Sequence, residues 1–218
     1  CHVSTGTEVD YAERLQRAYP DLFDAEATPH HLTMTHVDAR THYGWLSGRM
    51  QPPLGTETDF DKLNWAFNKG ILSTIGTDHA PHPEANKFAA EVQNPHADED
   101  PGCVSCYGVS GIGFVIPVMF AMIQRGETTL ERVIDALHTQ PHKILGRLPR
   151  SARTIVEIDP HRIGEEEIMG DSRNTPYVNW TGWARVIDVV VDGVSRFDHP
   201  TQNTQVLLPR LPEVRSKA

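Results

Sequence analysis

The sequence predicts an α/β fold with a small β module behind it, and three observations carry that reading. Strand-like apolar runs alternate with stretches of helical periodicity as far as Gly146. After Gly146 the character changes, and the β-branched runs "TIVEID" at 154–159 and "VIDVVV" at 186–191 read as strands. Asp192-Gly193 follows the second run as a hairpin turn signal. A chain of 218 residues, 39% hydrophobic, is long enough for one sizeable core, or one core plus a satellite.

The elements follow in order. Thr5-Gly6-Thr7 leads into a helix over 8–19, where Val9, Ala12, Leu15 and Ala18 recur at helical spacing and Pro20 stops it. Residues 23–27 form a short strand. "PPLG" at 52–55 marks a loop, after which Phe60, Leu63 and Phe67 make one face of a helix that ends at Gly70. Residues 71–77 give the next strand. The helix over 113–124 is mostly apolar and therefore buried. The helix over 128–139 opens on Thr128 and Glu131, spaced as a capping box, and presents Leu130, Val133, Ile134 and Leu137 as its buried face. No internal repeat or low-complexity segment interrupts the series.

Charge and composition narrow the function classes. A formal net charge of -9 with acidic residues spread along the chain offers no basic footprint for nucleic acid and no polybasic membrane patch. The longest apolar run, 112–123, contains Pro117 and falls short of the ~20 residues of a membrane span. No charged-then-apolar leader is visible, so the expected location is cytoplasmic. The chain opens on "CHVS", which reads like the end of a buried strand, so a fragment of a longer polypeptide is expected. Cys103-Val104-Ser105-Cys106 lies in a Pro/Asp/Gly loop with no second Cys or His pair, and reads either as an ordinary loop or as a metal or redox site.

The chemistry gathers at "TDHAPH", residues 77–82, directly after an apolar run. In a strand-helix array, residues at the carboxyl ends of parallel strands collect on one rim. His2 ends the first strand, Glu26 and His30-His31 flank the end of the second, and Asp78, His79 and His82 follow the third. Histidine and aspartate suit zinc, and aspartate can also take a proton. The competing reading is that histidines in polar loops simply hydrogen-bond, as expected for His36, His96, His161 and His199. Cys1 and Glu26 are either packing and loop residues or helpers for a further cation.

In combination the motifs say more. "CHVST" at 1–5, "EATPHHL" at 26–32, "QPPL" at 51–54, "TDHAPH" at 77–82, "QPHKILGRL" at 140–148 and "NTPY" at 174–177, in this order, resemble the dihydroorotases of the amidohydrolase superfamily. The resemblance implies the C-terminal half, strands six to eight, of a TIM-type metal-dependent hydrolase barrel over 1–148, and a small β-sandwich domain over 149–218. It implies two zinc ions per complete active site. His2 matches a ligand of the second, and Asp78 matches the ligand of the first that also shuttles the proton. His82 matches a substrate-carboxylate binder, and Tyr107-Gly108 a Phe/Gly pair that contacts the substrate ring. Gln51 stands where the family usually has Asn, and His79 reads as a supporting residue. The implied activity is zinc-dependent, reversible hydrolysis of dihydroorotate to N-carbamoyl-aspartate in pyrimidine biosynthesis.

The family's His-x-His pair, its bridging Asp or carboxylated Lys and its fifth-strand His have no counterpart here. Half a barrel leaves open strand edges and an unfilled interior, so the N-terminal half is the first implied partner. Further implied partners are a small-molecule substrate, a second copy of the chain in a homo-oligomer, and aspartate transcarbamoylase. Gln51 for Asn, Gly55 for the usual Arg, and a longer acidic 83–106 loop keep two alternatives open. One is another cyclic amidohydrolase, a hydantoinase or allantoinase. The other is a non-catalytic dihydroorotase-like scaffold for the transcarbamoylase.

Overall fold

The computed structural model describes residues 1–20, 22–42, 48–83, 107–146, 152–169 and 174–198. Helix α1 (Gly6–Ala18) starts on a reciprocal cap: Thr5 Oγ1 accepts from the Glu8 N–H at 3.3 Å, and Glu8 Oε2 accepts from the Thr5 N–H at 3.0 Å. It packs against α4 (Glu57–Asn68), which uses the same device with Thr56 and Asp59. Asp59 Oδ1 also accepts from the Gly6 N–H at 2.9 Å, tying the two helix starts together. Between them lie β1 (Glu26–Ala27), α2 (Pro29–Thr33) and α3 (His36–His42). Helix α4 buries Leu63, Ala66 and Phe67 and gives way to Gly70, whose φ of +77° needs a residue without a Cβ.

Strand β2 (Thr74–Ile75) lies parallel to β1, with Glu26 opposite Thr74 and Ala27 opposite Ile75. On the other side of β1 the Val3 N–H donates to Glu26 O at 2.9 Å, and beyond β2 a parallel bridge joins His79 to Val109. The segment at Val3, β1 and β2 thus run side by side. The strands expected over 23–27 and 71–77 shrink to two residues each. One reason is that the Ile71 and Leu72 N–H groups turn back to Ala66 O, while Arg132 donates to the carbonyls of Leu72 and Ser73.

A 3-10 turn, Ile112–Phe114, leads into the buried helix α5 (Val115–Gln124). Next come α6 (Leu130–Ile134), a π-helical turn Asp135–Thr139 and α7 (Gln140–Leu145). Two expectations are corrected here. The cap is Thr129, whose Oγ1 accepts from the Arg132 N–H at 3.2 Å, and Thr128 Oγ1 is buried with no hydrogen-bond partner among the described residues. Leu130 and Ile134 are exposed, while Val133 and Ala136 are buried and Leu137 is partly so. Pro141 brings no N–H to the ladder, the Gln140 N–H reaches back five residues to Asp135 O, and the wider turn breaks the single helical phase assumed over 128–139.

One core gathers α1, α4, β1, β2, α5 and the α6 region around Leu32, Leu63, Phe67, Leu72, Met119 and Val133. A second gathers Met34, Met50, Val109, Phe114, Ile163 and Tyr177. The chain divides into two units: Cys1–Leu148 with Ile158–Arg185, and Pro149–Glu157 with Val186–Ala218. Strands β3 (Ala152–Arg162), β4 (Thr181–Val191) and β5 (Val194–Asp198) form a sheet in that order, each longer strand exceeding its expected run. β4 and β5 are antiparallel around Asp192 and Gly193, whose φ values of +51° and +77° are those of a primed hairpin turn. Among the described residues, no helix is long and apolar enough to cross a membrane.

Candidate active site

His2 sits one residue before the segment that joins β1, and Asp78 follows β2. Both adopt left-handed backbone, with φ of +54° and +46°. A non-glycine residue there costs of order 1–3 kcal/mol, a strain that concentrates at functional sites. Their side chains meet, with His2 Nε2 3.6 Å from Asp78 Oδ1. On the far side of the ring, His2 Nδ1 lies 3.0 Å from Glu26 Oε1. That approach is close but off the line a hydrogen bond needs, and the nitrogen has no hydrogen-bond partner among the described residues.

His30, in the first turn of α2, approaches the other oxygen of the same carboxylate. Its side chain is 1% exposed and its Nε2, without a hydrogen-bond partner among the described residues, lies 3.9 Å from Asp78 Oδ2. Burial, reinforced by His31 and His2, holds its pKa well below the ordinary imidazole range, so the ring is neutral. Burial raises the Asp78 pKa, with His2 opposing, which makes this carboxylate a stronger base than an exposed one.

His31 serves a neighbouring loop. Its Nδ1 is 2.7 Å from Thr28 Oγ1, and its Nε2 is 3.2 Å and 3.3 Å from the carbonyls of Pro52 and Pro53. Carbonyls only accept, so Nε2 carries the proton and Nδ1 accepts from the Thr28 hydroxyl. The ring thereby holds the loop that carries Gln51.

The other expected residues divide. His79 Nδ1 accepts from the Gly111 and Ile112 N–H groups at 3.1 Å and 3.3 Å, anchoring the start of the turn before α5. Gly108 has a φ of +122° and so little room that an added Cβ would stand 2.6 Å from that of Ala80. Its N–H donates to Arg49 O and its carbonyl accepts from Asn174 Nδ2 at 2.9 Å, so "NTPY" braces this segment. Tyr107 is stacked on Arg49, whose guanidinium carbon is 4.4 Å from the ring centre and whose Nη2 donates to the phenol oxygen at 2.7 Å. His82 is half-buried and Gln51 exposed. Among the described residues no hydrogen bond or ion pair joins either to Asp78. His36 bonds Gly55 O and His161 meets Glu167, as hydrogen-bonding histidines should. Cys1 is exposed rather than packed. The Cys103/Cys106 pair, His96 and His199 lie outside the described residues.

Sequence reasoning missed Arg49 and Gly76. An Arg two residues before Gln51 was the available signal for the first, and a Gly closing a strand for the second.

The donor chemistry suits zinc. His2 Nε2 and Asp78 Oδ1 are a nitrogen and an oxygen donor of the kind zinc takes, and at 3.6 Å they face each other beyond hydrogen-bond length. No cluster of three or more His, Cys, Asp or Glu side chains able to hold a metal forms among the described residues. His2 and Asp78 therefore fit as two members of a larger ligand set.

No family model matches the chain. A curated protein of Halalkalibacterium halodurans named dihydroorotase is 30% identical over 197 residues, covering 84% of this chain and 42% of the relative. One from a Sulfurihydrogenibium species, with the same name, is 29% identical over 184 residues. The chain resembles dihydroorotases over most of its length. It spans about two-fifths of those relatives, 40% and 42%. Among solved structures, a D-hydantoinase from a Thermus species superposes with a TM-score of 0.76 at 18% identity, over 90% of this chain and 44% of that one. The dihydroorotase of Saccharomyces cerevisiae, solved with 5-fluoroorotic acid, gives 0.60 at 18% identity, over 85% and 50%. The fold is thus part of a TIM-barrel amidohydrolase fold, matched over less than half of the Thermus chain.

Proposed function

We propose that this chain is the C-terminal part of a zinc-dependent dihydroorotase, with 1–148 as the second half of the barrel and 149–218 as a small β-sandwich domain. The observation that carries the reading is the meeting of His2 and Asp78, 3.6 Å apart at the ends of the two segments that flank β1. In this reading His2 and Asp78 belong to the ligand set of two zinc ions, completed by the N-terminal half of the barrel. Bound zinc polarises the amide carbonyl and makes water a nucleophile near neutral pH.

Asp78 accepts the proton of the attacking water and delivers it to the ring nitrogen as the carbon–nitrogen bond breaks and the carbon–oxygen bond forms. The product is N-carbamoyl-aspartate, and the cyclisation runs the same transfers backwards. Desolvation of Asp78 suits it to both acceptance and return of the proton. His82, Gln51, Tyr107 and Gly108 hold the substrate, His82 at its carboxylate. A cytoplasmic homo-oligomer, associated with aspartate transcarbamoylase, is the assembly consistent with this activity.

Steady-state kinetics of the full-length protein on dihydroorotate, hydantoin and allantoin tests it. Dihydroorotate should give the highest kcat/KM. Preference for another ring would move the reading to a different cyclic amidohydrolase, and turnover of none would favour a scaffold.

A further inference from the structure

We infer that Glu26 is a positioning residue for His2, and that Gly76 is a glycine because the Glu26 carboxylate needs its space. The inference rests on the proposed metal role of His2 and goes on to assign how that ring is held. Glu26 Oε1 stands 3.0 Å from His2 Nδ1. An acceptor oxygen this close, though off the line of a hydrogen bond in this geometry, favours the tautomer with its proton on Nδ1 and leaves the Nε2 lone pair free, and Nε2 is the nitrogen that faces Asp78. Glu26 is itself placed by pairing on both sides: its carbonyl accepts from the Val3 N–H, and it stands opposite Thr74 in β2. The residue that carries the carboxylate is thus bonded to the neighbour of the histidine it serves.

Gly76 closes the back of this arrangement. A Cβ on Gly76 would lie 2.5 Å from Glu26 Cδ and 2.6 Å and 2.7 Å from its two oxygens. These contacts are shorter than side chains tolerate, and every one is to the Glu26 carboxyl group. Gly76 is not among the glycines with positive φ, so an alanine there would meet no backbone objection and would have to displace the movable Glu26 carboxylate. The strand end therefore omits a side chain where the carboxylate must sit to reach His2.

A double-mutant cycle on the full-length protein tests this, with zinc affinity measured by chelator competition. Glu26→Ala should weaken zinc binding ~10–100-fold, the usual effect of removing the partner of a ligating histidine. Glu26→Gln, which keeps the volume and an acceptor oxygen, should recover most of that loss and guards against simple misfolding. Gly76→Ala should weaken zinc in the wild-type background and change nothing further in Glu26→Ala. Wild-type affinity in Glu26→Ala, or an equal cost of Gly76→Ala in both backgrounds, would overturn the inference. Wild-type protein that binds no zinc would overturn the proposed function first, and this role with it.

Discussion

His31 should make the fold acid-sensitive in a way that one substitution removes. Its ring is 1% exposed, and burial is the largest cause that lowers its pKa from 6.5 to about 4, against the opposing bonds to the Pro53 and Pro52 carbonyls. In the unfolded chain the same ring titrates near 6.5. Between these values the unfolded state binds more protons than the folded one, so stability rises with pH. The contribution is fully present above 6.5 and is lost as pH falls towards 4. A depression of that size corresponds to about 3 kcal/mol in total, of which about 2.5 kcal/mol is gone by pH 4.5. His31→Gln keeps an N–H donor near the proline carbonyls but cannot titrate. Urea unfolding of the full-length protein at pH 7 and pH 4.5 is the assay. Wild type should lose about 2–3 kcal/mol more than His31→Gln over that interval. His30 is held low chiefly by burial, which both proteins keep, so its own contribution largely cancels. Equal losses would refute the argument that His31 is buried neutral.

Arg132 donates to the carbonyls of Phe67, Leu72 and Ser73 and to Asp135, with its guanidinium carbon 4.5 Å from the Phe67 ring centre. Arg132→Met keeps the stem but strands those carbonyls, and should cost about 1–3 kcal/mol in a denaturant melt, with no loss expected if water replaces the donors. His82→Ala should raise KM for dihydroorotate while leaving kcat within a few-fold, because the proposed contact is to a carboxylate that does not react. Asp78→Asn should instead cut kcat by several orders of magnitude at saturating substrate. Near-normal turnover in Asp78→Asn would remove it from the proton transfer.

The parts legible in the sequence are those set by neighbours. The helix that follows Thr5-Gly6-Thr7 and the turn at Asp192-Gly193 are set by residues next to them, and each stands where its local chemistry requires. The misread parts depend on distant atoms. The strand over 71–77 reads as seven residues of favourable pattern, yet Arg132 binds two of its carbonyls from about sixty residues away. The apolar period over 128–139 assumes one helix, and a π turn next to Pro141 splits it. At the site, the rule that strand ends share a rim was enough to group His2, Glu26, His30 and Asp78. It could not tell that His30 faces Asp78 while His31 turns to Pro52 and Pro53, because adjacent residues on one helical turn point about 100° apart. A Gly closing a strand is visible at 76, but the group that crowds its missing side chain is on a neighbouring strand.

Elemental analysis of the full-length protein tests the central claim most directly. Wild type should hold about two zinc per chain, and both His2→Ala and Asp78→Ala should show a clear loss of zinc. Wild-type protein free of transition metal, or both variants retaining the full complement, would contradict it.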